Sequence, residues 1–351
     1  MILTIIVFIA ILGLLIFVHE AGHFLVAKLA KVKVEEFAFG FPPRLFTVKR
    51  GETNYSINAI PLGGYVKLFG EEGQSHAANS FMGKTVLQRI AIVVAGVVMN
   101  FVLAIILMAI GFMIGMTPLV SDPATMAGQK DSKVMIAYVQ KDSPAEKAGI
   151  TNGTILNGFD STTDLQKYTQ EHIGQSVVFS TEKQNQSKDL NVTLSADKEA
   201  PLGVGIISIT KVKQGFFQAF GTSVKETGLV IKTFFVFIYD ILRNIFTTGH
   251  TGPEGESVSG PVGLFNFTSE AIKIGWIYVL QLVILLSINL GIINILPFPA
   301  LDGGKVLFLA LEGIFRKKVI RQEVENWIHM IGFALLIILM IAITYRDIIR
   351  R

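Results

Sequence analysis

His19-Glu20-Ala21-Gly22-His23 brings two imidazoles and a carboxylate into five residues, at the end of an apolar run that begins at Met1. On a helix, His19 and His23 are four apart and share one face, where both rings can reach one Zn²⁺. Glu20, three residues before His23, projects beside that face and is placed to deprotonate a metal-activated water. A third protein ligand is needed, and Asp302 is the best candidate. It is the only acid in Asn294-Ile295-Leu296-Pro297-Phe298-Pro299-Ala300-Leu301-Asp302-Gly303-Gly304. Prolines break the helix there, and the two glycines allow close backbone approach. A His₂-carboxylate set with one open position suits catalytic rather than structural zinc. Asn294 adds a donor for a substrate backbone or a developing oxyanion. The plainer alternatives are a pair of helix-end histidines near a membrane interface and, for Asp302, a turn residue after a span.

The elements that must position these groups read as membrane spans. Runs of about Ile2–Leu29, Ile90–Met116, Ile274–Leu296 and Ile328–Tyr345 can each supply the roughly 20 apolar residues needed to cross about 30 Å of hydrocarbon. Imidazole and carboxylate groups at membrane depth are costly, which makes them functional candidates. Basic residues between Lys28 and Arg89, and Arg316, Lys317, Lys318 and Arg321 between the third and fourth spans, face the cytoplasm by the positive-inside rule. Both termini and the long Thr117–Ile272 segment then lie outside, and the histidine motif lies toward the cytoplasmic end of its span. Arg346, Arg350 and Arg351 argue the other way and weigh less than two agreeing loops.

Between the first two spans, Phe37–Gly73 is rich in Gly, Pro and aromatics. Thr53–Ile60 alternates like a strand, and Pro61-Leu62-Gly63-Gly64 predicts a sharp turn before Tyr65–Phe69. Such a hairpin at a membrane face could present an edge strand to an extended peptide, or be an amphipathic connector. From about Met126 to Ser208 the chain is polar, with strands expected at Val134–Val139, Ser176–Thr181 and Asn191–Ser195. Ser143 and Pro144 predict the start of a short helix ended by Gly149, and Asp164–His172 a second helix. Phe216–Phe246 is helical in pattern but interrupted by Lys225, Glu226, Lys232, Asp240 and Arg243. It reads as an interfacial amphipathic helix, with a fifth span at Leu229–Ile245 as the alternative. Thr247–Gly260 reads as a loop.

Composition agrees with several spans. The 351 residues are 51% hydrophobic and 17% charged, with a net charge of +4. No basic run interleaves with aromatics, so the positive excess fits membrane flanks rather than nucleic acid. There is no cysteine, which excludes disulfides, thiolate zinc sites and cysteine nucleophiles. The apolar N-terminus has no basic n-region and no small-x-small cleavage site, so it reads as a retained span.

These residues resemble the site-2 protease family of intramembrane zinc metalloproteases, in its bacterial branch that carries a PDZ domain. His19-Glu20-x-x-His23 matches the family's first motif, and Asn294-x-x-Pro297 with Leu301-Asp302-Gly303 the second. Phe37–Phe46 and Asn58–Glu71 are similar to its membrane-associated β-region, Gln88–Phe101 to its second core helix, Ser259–Phe265 to the segment entering its third, and Met126–Ser208 to a single PDZ domain. Departures are Val97 where proline is common before Val-Met-Asn, Phe41-Pro42-Pro43 in place of Phe-Gly-Pro, Asn152-Gly153-Thr154 in place of a Pro-Gly-Asp pair, and no Gly-Leu-Gly-Phe loop.

The resemblance implies a multi-span α-helical membrane protein with four transmembrane helices, a membrane-associated β-hairpin region and an inserted α+β PDZ-like domain. The expected divisions are 1–30 for the first span, 31–89 for the cytoplasmic β-region, 90–116 for the second span and 126–208 for the extracytoplasmic PDZ-like domain. An amphipathic helix at 214–248, a third span at 274–304 and a fourth at 327–346 complete the order. It implies Zn²⁺ on His19, His23 and Asp302, catalysis by Glu20 and Asn294, and substrate positioned by Gly63, Gly64 and Tyr65. Expected partners are single-span membrane proteins or remnant signal peptides within the bacterial inner membrane, and not nucleic acid. A non-catalytic PDZ-bearing scaffold and a metal transporter are the rivals. Transport predicts polar residues at several depths on several spans, whereas here they cluster at one end of two.

Overall fold

The computed structural model describes residues 1–71, 75–183, 186–197, 200–248 and 259–349. Four helices among them are long and apolar enough to cross a membrane: α1 (Ile2–Leu29), α2 (Val86–Ile114), α7 (Trp276–Ile295) and α9 (Gln322–Ile349). Large apolar side chains such as Ile6 and Phe17 on α1 and Leu335, Ile338 and Ile341 on α9 are exposed. Exposure of that extent on whole helix faces is what lipid covers. By contact the chain divides into two compact units, Met1–Ile106 with Val230–Thr268 and Leu282–Arg351, and Leu107–Leu229 with Ser269–Gln281.

In the first unit α1 ends where Lys31 turns left-handed, and the Val32 N–H bonds back to the Ala27 carbonyl. Two long strands follow, β1 (Val34–Arg50) and β2 (Thr53–Leu68), paired with repeated register shifts. Arg44–Arg50 lies against Thr53–Asn58 as a hairpin, while Phe37 has Tyr55 opposite it on one side and Val66 on the other. Each long strand therefore bends, and Tyr65–Leu68 ends up as an outer segment. The sharp turn expected at 61–64 is a reversal inside β2: Phe39 is opposite both Ile57 and Gly64, with strand conformation continuous between them. Ala27, Val34, Leu68, Ile92, Val93 and Leu309 close a core that joins α1, this sheet and α2 to α8 (Asp302–Phe315).

α2 opens with a reciprocal cap. The Gln88 N–H donates to Thr85 Oγ1 at 3.3 Å and the Thr85 N–H to Gln88 Oε1 at 3.1 Å. At its start Arg89, with a side chain only 5% exposed, forms a two-bond ion pair with Glu312 of α8. The expected third span is shorter than 274–304: α7 stops at Ile295 because Pro297 and Pro299 cannot continue it, and Asp302 is the first residue of α8.

The second unit contains a five-stranded sheet in the order β6-β5-β4-β3-β7, from β3 (Gln129–Val139), β4 (Ile155–Leu156), β5 (Ser176–Lys183), β6 (Gln186–Thr193) and β7 (Val204–Lys213). The third strand expected at Asn191–Ser195 starts five residues earlier and pairs along the whole of β5. Strand β7 was not foreseen and carries the sheet past Ser208. Helix α3 (Pro144–Lys147) is capped by Ser143 and α4 (Thr162–Glu171) by Ser161, whose hydroxyls accept the Glu146 and Asp164 N–H groups, both at 3.2 Å. Ile136, Leu156, Leu165 and Phe179 fill the core between sheet and helices.

Helix α5 (Phe216–Thr248) bears out the helical pattern. Its Glu226 does not face solvent: it is buried and accepts the Val120 and Ser121 N–H groups at 2.6 and 3.1 Å. Of the loop expected at Thr247–Gly260, 249–258 lie outside the described residues, and Thr247 and Thr248 belong to α5. Pro261–Ile274 forms α6, a helix additional to those expected from the sequence. Arg350 and Arg351 also lie outside the described residues.

Candidate metal centre

His19 and His23 occupy adjacent turns of α1, with their rings edge to face at 4.8 Å. Their Nε2 atoms are 3.2 Å apart, and Asp302 Oδ2 lies 3.1 Å from the first and 3.3 Å from the second. Three ligand atoms on tetrahedral zinc with bonds of 2.0–2.1 Å would be separated by about 3.3–3.4 Å. The structure thus brings together, from opposite ends of the sequence, one imidazole pair and one carboxylate oxygen at metal-ligand spacing. Among the described residues this is the His/Asp/Glu group that could hold a metal ion.

The hydrogen bonds on the far side of the rings say what the cluster can accept. His23 Nδ1 lies 2.9 Å from the Ile92 carbonyl, which only accepts, so the ring proton sits on Nδ1. Its Nε2 lone pair then points at the lone pairs of Asp302 Oδ2, a buried atom with no hydrogen-bond partner. Converging lone pairs repel unless a cation lies between them. The donor set, spacing and tautomer all fit a divalent metal whose ligands are oriented from behind.

The backing comes from one stripe of α2 at four-residue intervals. Ile92 supplies the carbonyl, Gly96 lies beneath both rings, and Asn100 reaches His19 Nδ1 at 3.2 Å. Asn100 is fully buried, and its Oδ1 lacks a partner as placed. Rotating the amide by half a turn aims Oδ1 at the Nδ1–H of His19, satisfying both groups and freeing His19 Nε2 for a metal. The sequence reading assigned Asn100 no role. The signal was present, since it is the lone amide in an apolar span.

Glu20 stands outside the triad. A β-carbon on Gly64 would lie 3.0 Å from Glu20 Cγ, so the outer segment of β2 runs directly against it. Gly63 abuts the Phe41 ring, and Tyr65 is opposite Ala38 in the sheet. Asn294, near the end of α7, places its side-chain amide 3.4 Å from His19 Nε2. Lys305, one turn beyond Asp302, donates to Glu71 at 2.7 Å, and the Glu71 carboxylate holds its pKa above the ordinary lysine value. Next to them a cavity of about 570 Å³ is lined by Tyr65–Leu68, Lys305, Phe308 and Glu325.

The model of peptidase family M50 matches residues 7–339. The chain is similar to a protein of Clostridium acetobutylicum, 34% identical over 352 residues that cover 99% of this chain and 97% of the relative. It is similar to zinc metalloprotease RasP of Shouchella clausii, 30% identical with 98% of each chain covered. It is also similar to the regulator of sigma-W protease RasP of Bacillus subtilis, 27% identical over 99% of this chain and 98% of that one. With the histidine motif, the distant aspartate and four membrane-length helices in place, the chain belongs to peptidase family M50, the zinc-dependent site-2 protease family.

Proposed function

We propose that this protein is an intramembrane zinc metalloendopeptidase that hydrolyses a peptide bond within the transmembrane segment of another membrane protein. The observation that carries this reading is the convergence of His19 Nε2, His23 Nε2 and Asp302 Oδ2 within 3.1–3.3 Å of one another at the end of a membrane-length helix.

His19, His23 and Asp302 hold the metal. When bound, zinc supplies Lewis acidity, which brings the pKa of a water toward about 7 and polarises a carbonyl. Glu20 takes the proton from the attacking water and returns it to the leaving amine. Asn294 donates to the oxygen that gains charge in the tetrahedral state. A helical substrate hides its carbonyls, so it must unwind before attack. Gly63, Gly64 and Tyr65 receive it in extended form, as a strand added along the outer segment of β2. Bare glycine backbone beside Glu20 brings that strand within reach of the base.

In this reading the active site lies toward the cytoplasm, the termini and the 126–208 module lie outside, and the module is a PDZ-like domain that excludes untrimmed substrates by size. Substrates are single-span proteins of the anti-sigma-factor or remnant signal-peptide type. The test is mass mapping of products after full-length protein in lipid nanodiscs meets a single-span model substrate. The expected result is a cut within the apolar span, abolished by chelation and restored by zinc. No product, or cuts confined to the soluble flanks, would overturn the proposal.

A further inference from the structure

The turn that delivers Asp302 is held from α9 by His329, a residue outside the His19–His23 and Asn294–Asp302 motifs. Ala300, two residues before Asp302, has φ of +77°, a left-handed conformation that alanine rarely adopts. Its N–H donates to His329 Nδ1 at 2.9 Å. Among the described residues no other side chain hydrogen-bonds the backbone of 297–301. Leu301, which precedes α8, offers no side-chain cap, and the turn's remaining bonds are backbone ones, with the Leu301 N–H donating to the Phe298 carbonyl at 3.1 Å.

The contact between α9 and this turn is close on the same helix face. One turn along from His329, a β-carbon on Gly332 would lie 2.5 Å from both Pro299 Cβ and the Pro299 carbonyl oxygen. The His329 ring is also held edge-on against Phe308 of α8, with centroids 5.6 Å apart. His329 is thus fixed between the turn before Asp302 and the helix after it. Because Nδ1 accepts the Ala300 N–H, the ring proton belongs on Nε2, which is buried.

We infer that His329 is a positioning residue for the metal centre, its Nδ1 holding Ala300 left-handed so that Asp302 Oδ2 meets His19 and His23. The inference rests on the reading of Asp302 as a ligand. Backing groups of this kind change metal affinity by about 10- to 100-fold when removed. The acceptor, rather than the ring, is the active feature. His329→Asn, whose Oδ1 stands where Nδ1 stood, therefore preserves the role, and His329→Leu abolishes it. Ala300→Gly adopts positive φ freely, so it relieves part of the dependence on His329.

The experiment measures zinc affinity of the purified full-length protein by chelator competition, and the visible spectrum of the cobalt-loaded form. The variants are His329→Leu, His329→Asn, His329→Leu with Ala300→Gly, and Asp302→Asn. The expected result is a roughly 10-fold or greater weakening and an altered cobalt spectrum for His329→Leu. His329→Asn should stay within about 3-fold of wild type, and Ala300→Gly should recover part of the leucine variant's loss. If Asp302→Asn weakens binding and His329→Leu does not, the inference is overturned while the metal site stands. If Asp302→Asn itself binds normally, the ligand assignment fails first. A folded His329→Asn that behaves like a lost site overturns the acceptor role, even if His329→Leu yields no folded protein.

Discussion

Gly96 and His23 meet so closely that a β-carbon on the glycine would lie 2.4 Å from His23 Nε2. The His19–His23 pair on α1 therefore rests on bare α2 backbone, and the same packing lets Gly22 of α1 lie against Ala95. Gly96→Ala should push the ring off its ligand position and lower zinc affinity by at least about 10-fold, at a stability cost of about 1–3 kcal/mol for overpacking. Metal analysis and thermal unfolding of the detergent-solubilised protein check this. Gly221→Ala is the control: nothing stands within 4 Å of its added carbon, and in helix α5 it should stabilise by up to about 1 kcal/mol.

Asn100→Ala removes the group behind His19 while leaving His19, His23 and Asp302 in place. Zinc affinity should fall by about 10- to 100-fold with little change in helix content. The Ser287 hydroxyl bonds the Asn100 backbone carbonyl at 2.8 Å, so this helix contact survives the substitution. Chelator competition with circular dichroism on the same sample checks the prediction, and wild-type affinity would remove Asn100 from the site.

How far the sequence foretold these positions depends on whether a residue's role is set by its own neighbours or by a distant segment. The pairing of His19 with His23 was readable because both lie on one helical face, and the spans because hydropathy is a local property. Asp302 was reachable because the Pro297–Gly304 break is unusual inside an apolar stretch. Gly96, Ile92 and His329 were not, since each acts on a partner far along the chain, through a carbonyl, a missing side chain or a turn. Glu226 shows the same limit in reverse. By sequence it is a charge that interrupts an amphipathic helix, yet it is buried and bonded to the backbone of Val120 and Ser121. Strand β7 was legible in its own pattern, since Val204–Lys213 is rich in β-branched residues, and it went unforeseen all the same.

The Arg89–Glu312 pair ties the start of α2 to the helix that begins with Asp302. Its arginine is almost fully enclosed and bonded through both terminal nitrogens. Glu312→Ala leaves that charge unpaired and should cost about 3–5 kcal/mol, whereas replacing both residues by methionine should be close to neutral. Thermal unfolding of the two variants side by side checks the order. Equal destabilisation would show that volume rather than charge pairing holds the helices together.

The most direct test of the whole account takes zinc content and cleavage from one preparation of Glu20→Gln. One zinc per chain is expected, as in wild type, because His19, His23 and Asp302 are untouched, and no cleavage of a single-span substrate is expected, because the base is gone. Wild-type cleavage by a zinc-loaded Glu20→Gln protein would contradict the mechanism at its centre.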